Sequence, residues 1–146
     1  MTCLIEEEEN GIKENCSKSI PIILNKIEIN FYPEGGELIS NIECGLYIES
    51  KNERNEFIDI IGSLIDSNNL EILKIKTLHE GRLKIKIKPK ENEKYFLKID
   101  EPIGLKNERF ELPKSKSTGI SMISLKNCFE SFEMIEFKVI SRFQQQ

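Results

Sequence analysis

The sequence has no tryptophan, and histidine occurs once, at His79. One imidazole leaves little to act as a general base near neutral pH or to build a nitrogen-rich metal site. His79 also precedes Glu80-Gly81, a turn pair beside which an exposed polar residue is expected anyway. No G-x-S-x-G elbow accompanies the serines, and Gly35-Gly36 lacks the spacing of the glycine-rich phosphate loops. The four cysteines, Cys3, Cys16, Cys44 and Cys128, form no C-x-x-C pair and match no zinc module. Long apolar runs are missing as well. Stretches such as Ile22-Ile23-Leu24 are too short to cross a bilayer. Met1 to Ile5, followed by Glu6 to Glu9, lacks the basic start and long apolar stretch of a secretory signal. From these absences we expect no catalytic residues, no metal, no cofactor, no small-molecule substrate and no membrane partner. We expect four reduced thiols in an intracellular protein.

What remains is ample for a folded domain. In 146 residues, 38% are hydrophobic and 32% charged, which fits one domain with its own core and no need of a disulfide staple. The net charge of −4 argues against a surface that grips nucleic acid all over, while leaving room for a local basic face. Residues 1–19 are polar and acidic without a period and read as a flexible arm, with Glu6–Glu9 as a solvated tail. Residues 20–143 read as the domain, and 144–146 as a frayed tail.

Alternation dominates the domain. Ile23, Ile27, Ile29 and Phe31 share one parity, against Lys26, Glu28 and Asn30. After the turn signal Pro33-Glu34-Gly35-Gly36, the residues Ile42, Cys44, Leu46 and Ile48 alternate with Glu43, Gly45 and Tyr47. These runs predict a hairpin within 22–48. Residues 52–66 fit both helical and strand spacing. Gly62 favours a strand, where glycine often marks a bulge. In 70–90, Leu73, Ile75 and Thr77 alternate with Lys74 and Lys76. After Glu80-Gly81, Leu83, Ile85 and Ile87 alternate with Lys84, Lys86 and Lys88. That pattern predicts a hairpin with one aliphatic and one lysine face. Tyr95 to Ile99 predicts a short strand, 100–119 a long connection, and Ile120 to Leu125 with Glu133 to Arg142 two closing strands. The fold class is all-β, a barrel or a sandwich, mainly antiparallel.

The lysine face is the sharpest local feature. Lys74, Lys76, Lys84, Lys86 and Lys88 are expected to project from one sheet surface. Three readings stay open: a solvated face that keeps the sheet apart from others, a dock for an acidic partner, or a phosphate-contacting surface. No aromatic residue interleaves with the lysines, as stacking on bases requires. The last strand carries apolar residues on both parities. Ile135, Phe137 and Val139 read as core. Phe132, Met134, Ile140 and Phe143 read as a surface for a partner subunit.

The closing run Ser131 to Arg142 resembles the last barrel strand of the smallest subunit of the CST telomere-capping complex, an OB-fold similar to the RPA small subunit. Phe57 to Asp66, Leu70 to Thr77, the turn Glu80-Gly81 and Arg82 to Lys88 resemble the first strands of such a barrel. The resemblance covers about half the chain. It implies a five-stranded antiparallel OB-fold-like barrel built from 57–66, 70–79, 82–88, 120–125 and 133–142, with the 22–48 hairpin as an extension. It further implies a nuclear, telomeric, non-catalytic subunit completing a heterodimer with a larger OB-fold protein, whose own contacts with single-stranded DNA are weak and indirect. Two features depart from the family: no helix follows the last strand before Gln146, and the first 56 residues have no counterpart. The competing reading is a β-sandwich adaptor that binds protein and has no nucleic-acid role.

Overall fold

A computed structural model of the protein describes residues 25–77, 80–126, 130–132 and 134–143, together with the backbone of two earlier strands. Those two, β1 (Thr2–Glu9) and β2 (Ile12–Ser19), pair antiparallel within the segment read as an arm. The alternating runs then become β3 (Ile27–Pro33), β4 (Cys44–Asn52), β5 (Ile61–Asp66), β6 (Glu71–Lys76), β7 (Arg82–Ile87), β8 (Tyr95–Glu101), β9 (Arg109–Glu111), β10 (Gly119–Ser124) and β11 (Phe137–Arg142).

Strands β3 to β11 make three separate antiparallel sheets, ordered β3-β4-β7, β6-β5-β8-β9 and β10-β11. Of the hairpin expected within 22–48, residues 22–24 lie outside the described residues. A hairpin is formed by β3 and β4 over 27–52, with Phe31 opposite Ile48 and Ile29 opposite Ser50, and it belongs to the main three-stranded sheet rather than extending from a barrel. Alternation then sorts β4: Cys44, Leu46 and Ile48 turn inward and Tyr47 outward. From the second sheet Leu64, Ile75, Leu97 and Ile99 face them, and all belong to one hydrophobic cluster with Ile85 and Ile87. Two open sheets therefore share one core, as in a sandwich. Residues 61–66 form a strand, and the β5–β8 register shifts between Ile61 and Gly62. A Cβ at Gly62 would run into the Lys98 carbonyl, so glycine is required by close approach of the next strand.

The five-stranded barrel is not formed. The strands expected to be consecutive in its wall belong to three different sheets, none closed, and the OB-fold resemblance falls with it. The decisive departure lies at 70–90. Strands β6 and β7 do not pair: β6 binds β5, and β7 binds β4. The chain crosses from one sheet to the other between them. Polar groups pin that crossing. The Thr77 hydroxyl and the Gly81 amide both donate to Asp59 Oδ1, each at 3.0 Å. Thr77 Oγ1 also accepts from the Ile60 amide at 2.8 Å. The Ser50 amide donates to the Gly81 carbonyl at 2.9 Å, and the buried Ser50 hydroxyl lies 2.6 Å from the Ile58 carbonyl. Gly81 has φ +60°, and a Cβ there would strike the Ser50 and Ile58 carbonyls. A hairpin and a sheet-to-sheet crossing share the same apolar alternation; Asp59 and Ser50, far away in sequence, choose the crossing.

Candidate protein-docking surface

Strands β10 and β11 form a two-stranded sheet of their own. Such a pair is marginal in water unless packed on something. Its inner side meets that need: Ser121 is buried, Ile140 is half-buried, and Ile123 packs against the main cluster. Loop residues 34–42, between β3 and β4, hold it in place. Glu34 Oε1 accepts the Ser124 amide at 3.0 Å. Arg142 donates to the Ser40 carbonyl and to Glu91, each at 2.9 Å. Gly119 has φ +152°, and a Cβ there would press on Ile39. Glycine thus lets the hairpin begin against the body. Between hairpin and sheet lies a cleft of about 470 Å³, with Ile123, Ile140 and Ile85 among its walls and Glu34, Lys84 and Lys138 at its polar side.

The outer side has no cover among the described residues. Cross-strand register places Ile120 beside Ser141, Met122 beside Val139, and Ser124 beside Phe137. Ile120 is 58% exposed, Met122 48%, Phe137 51% and Val139 64%. The same alternation runs past both ends of β11, through exposed Ile135 and Phe143. At about 200 Å² for a fully open large side chain, these six present roughly 700 Å² of apolar surface. Monomeric proteins seldom carry so large a patch without a use for it.

Several sequence expectations are corrected here. Ile135, Phe137 and Val139, read as core, are exposed. Of the four read as an interface, Phe132, Met134 and Phe143 are exposed, whereas Ile140 turns toward the body and lines the cleft. Ile120 and Met122 escaped notice, because a strand of mixed serine and aliphatic residues reads as half-buried; the register with β11 reveals their face.

The lysine face is divided. Lys74 and Lys76 lie on β6, in the four-stranded sheet; Lys84 and Lys86 lie on β7, in the three-stranded sheet, and Lys88 follows it. Their outer surfaces look away from each other across the shared core. On the β7 side the cations are engaged. Lys84 Nζ is 3.1 Å from Glu34 and 5.0 Å from the Tyr47 ring centroid. Burial disfavours its charge, but hydrogen bonds to Tyr47 and Glu34 outweigh that and hold its pKa above the usual lysine value. Lys86 is 3.8 Å from Glu43, and Arg82 is 3.4 Å from Glu49 while stacking on Phe57.

Chemistry of other kinds has little to work with. Cys44 is a buried free thiol, and burial, reinforced by Glu34 and Glu43, pushes its pKa up to about 11. It is therefore a neutral core residue at physiological pH. Among the described residues, no cluster of three or more His, Cys, Asp or Glu is placed to hold a metal ion, and no helix is long and apolar enough to cross a membrane. His79, Cys128 and the side chains of Cys3, Cys16 and Glu6–Glu9 lie outside the described residues. Comparison with known families, curated proteins and solved structures finds no significant match to this chain.

Proposed function

We propose that the protein is a β-sandwich docking module that works by binding protein through the outer face of β10–β11, without catalysis and without a nucleic-acid role. The telomeric single-strand-binding reading is withdrawn, because the closed barrel on which it depended is absent. One observation carries the proposal: a contiguous apolar face of Ile120, Met122, Phe137 and Val139 is held out to solvent by a hairpin whose other side is fastened down by Glu34 and Arg142. A rigidly mounted, uncharged sheet face suits association by burial of apolar area. The division of the lysines between two sheets, with Lys84 and Lys86 paired to Glu34 and Glu43, favours protein over phosphate backbones as the partner class.

The test compares two surfaces. A photo-crosslinking residue at Met122 is expected to capture protein, and Phe137→Glu is expected to abolish that capture. Lys74→Glu with Lys88→Glu, two exposed positions away from the Glu34 anchor, is expected to leave it intact. Salt-sensitive binding of single-stranded oligonucleotides, lost in the lysine variant while Phe137→Glu changes nothing, would overturn the proposal.

A further inference from the structure

Resting on that reading of the hairpin as a docking face, we infer that its occupant is a second copy of this chain, packed face to face about a two-fold axis. The inference comes from the arrangement of large and small side chains. On the outer face, β10 presents Ile120, Met122 and Ser124 in order, while β11 presents Ser141, Val139 and Phe137 beside them. Bulk therefore lies on one diagonal, Ile120 to Phe137, and the small residues on the other, Ser124 to Ser141. A two-fold axis lying in the plane of the face and crossing the strands sets Ile120 against Ser124 of the copy and Phe137 against Ser141. It sets Met122 and Val139 each against its own twin.

Large meets small at both ends, which is what an isologous interface requires of a surface that must complement itself. The same axis brings Ile135 of one copy to Phe143 of the other, extending apolar contact along the whole of β11. An axis parallel to the strands would also oppose large to small, but it would lay Ile135 on Lys126. The crossing axis is therefore the one assigned.

Charge and area agree with this assignment. None of the six outward positions from Ile120 to Phe137 carries a formal charge, so twin faces meet without like-charge repulsion. Roughly 700 Å² per copy approaches the ~800 Å² per partner of a standard stable interface. The product is a small sandwich of two two-stranded sheets, one from each chain.

Light scattering and sedimentation of the whole chain across micromolar concentrations test the inference. A dimer is expected for the wild type and a monomer for Val139→Glu. Because Val139 is 64% exposed, that variant keeps the wild-type far-ultraviolet circular dichroism, and its thermal transition matches that of the wild type at concentrations too low for association. Val139→Cys, which opposes its twin, is expected to form a disulfide-linked dimer on mild oxidation under conditions that leave the wild type unlinked. Failure of Val139→Cys to link, alongside ready linking in a mixture of Met122→Cys and Val139→Cys chains, would overturn the assigned axis. A wild type that stays monomeric throughout overturns the second-copy inference; if it still captures another protein through Met122, the docking reading survives. A Val139→Glu chain with every association of the wild type overturns both.

Discussion

Strands β4 and β11 are near twins on paper. Each sets apolar residues at every second position along one face, and each pairs antiparallel with a neighbour. Yet Leu46 and Ile48 in β4 are closed off from water, at 0% and 1% exposure, whereas Val139 in β11 remains open. The difference does not lie in the strands. It lies in what faces them. The second sheet covers β4 with Leu64, Leu97 and Ile99, and among the described residues nothing faces the outer side of β10–β11. Alternation reports that one side of a strand seeks cover; it does not say whether the cover comes from the same chain.

The comparison is sharpest where apolar volume is removed. Leu97→Ala, in the wall facing β4, is expected to cost about 3–4 kcal/mol, because both transfer energy and a cavity are lost. Val139→Ser is expected to shift stability by no more than about 0.5 kcal/mol when measured at a concentration too low for association. Urea unfolding of both variants measures this contrast, and comparable costs at the two sites would mean that the hairpin face is covered within one chain.

The crossing that separates β6 from β7 offers a second way to break the comparison. Asp59→Ala leaves the Thr77 hydroxyl and the Gly81 amide without their shared acceptor and is expected to cost about 1–3 kcal/mol. Asp59→Asn retains an acceptor and is expected to lose less. Chemical denaturation of both variants decides this, and equal losses would remove the role given to Oδ1.

A gentler probe is pH. The Cys44 thiol, at the end of β4 nearest the hairpin cleft, has its pKa raised from 9.0 to about 11 by burial. The folded state thus holds this proton more tightly than the unfolded chain. The associated stability is complete below pH 9 and is lost as pH rises from 9 to 11. Alkaline unfolding should be less steep in Cys44→Ala than in the wild type across that window. An unchanged slope would show that the thiol is not protected by the sheet.

Much of the local structure was legible. Phe31, Leu46 and Ile48 announced β3 and β4, Gly62 announced an irregularity in a strand, and Tyr95 to Ile99 announced β8. These depend on neighbours in sequence and on a repeat of two. The barrel and its telomeric role were misread for a related reason. An amphipathic strand resembles many others, and a run such as Ser131 to Arg142 fits the wall of an OB-fold as easily as a free-standing hairpin. The lysine face failed likewise: Lys76 and Lys84 share a pattern, but the chain changes sheets between them.

The sequence by itself determined that the protein is all-β, where most strands lie, and that the last strand carries apolar residues on both sides. Those follow from steric periodicity, which every residue pair expresses locally. Which sheet each strand joins, which lysines share a surface, and which apolar face is left to water were decided by tertiary structure. They depend on partners such as Asp59 with Gly81 and Glu34 with Ser124, whose separation along the chain leaves no periodic trace.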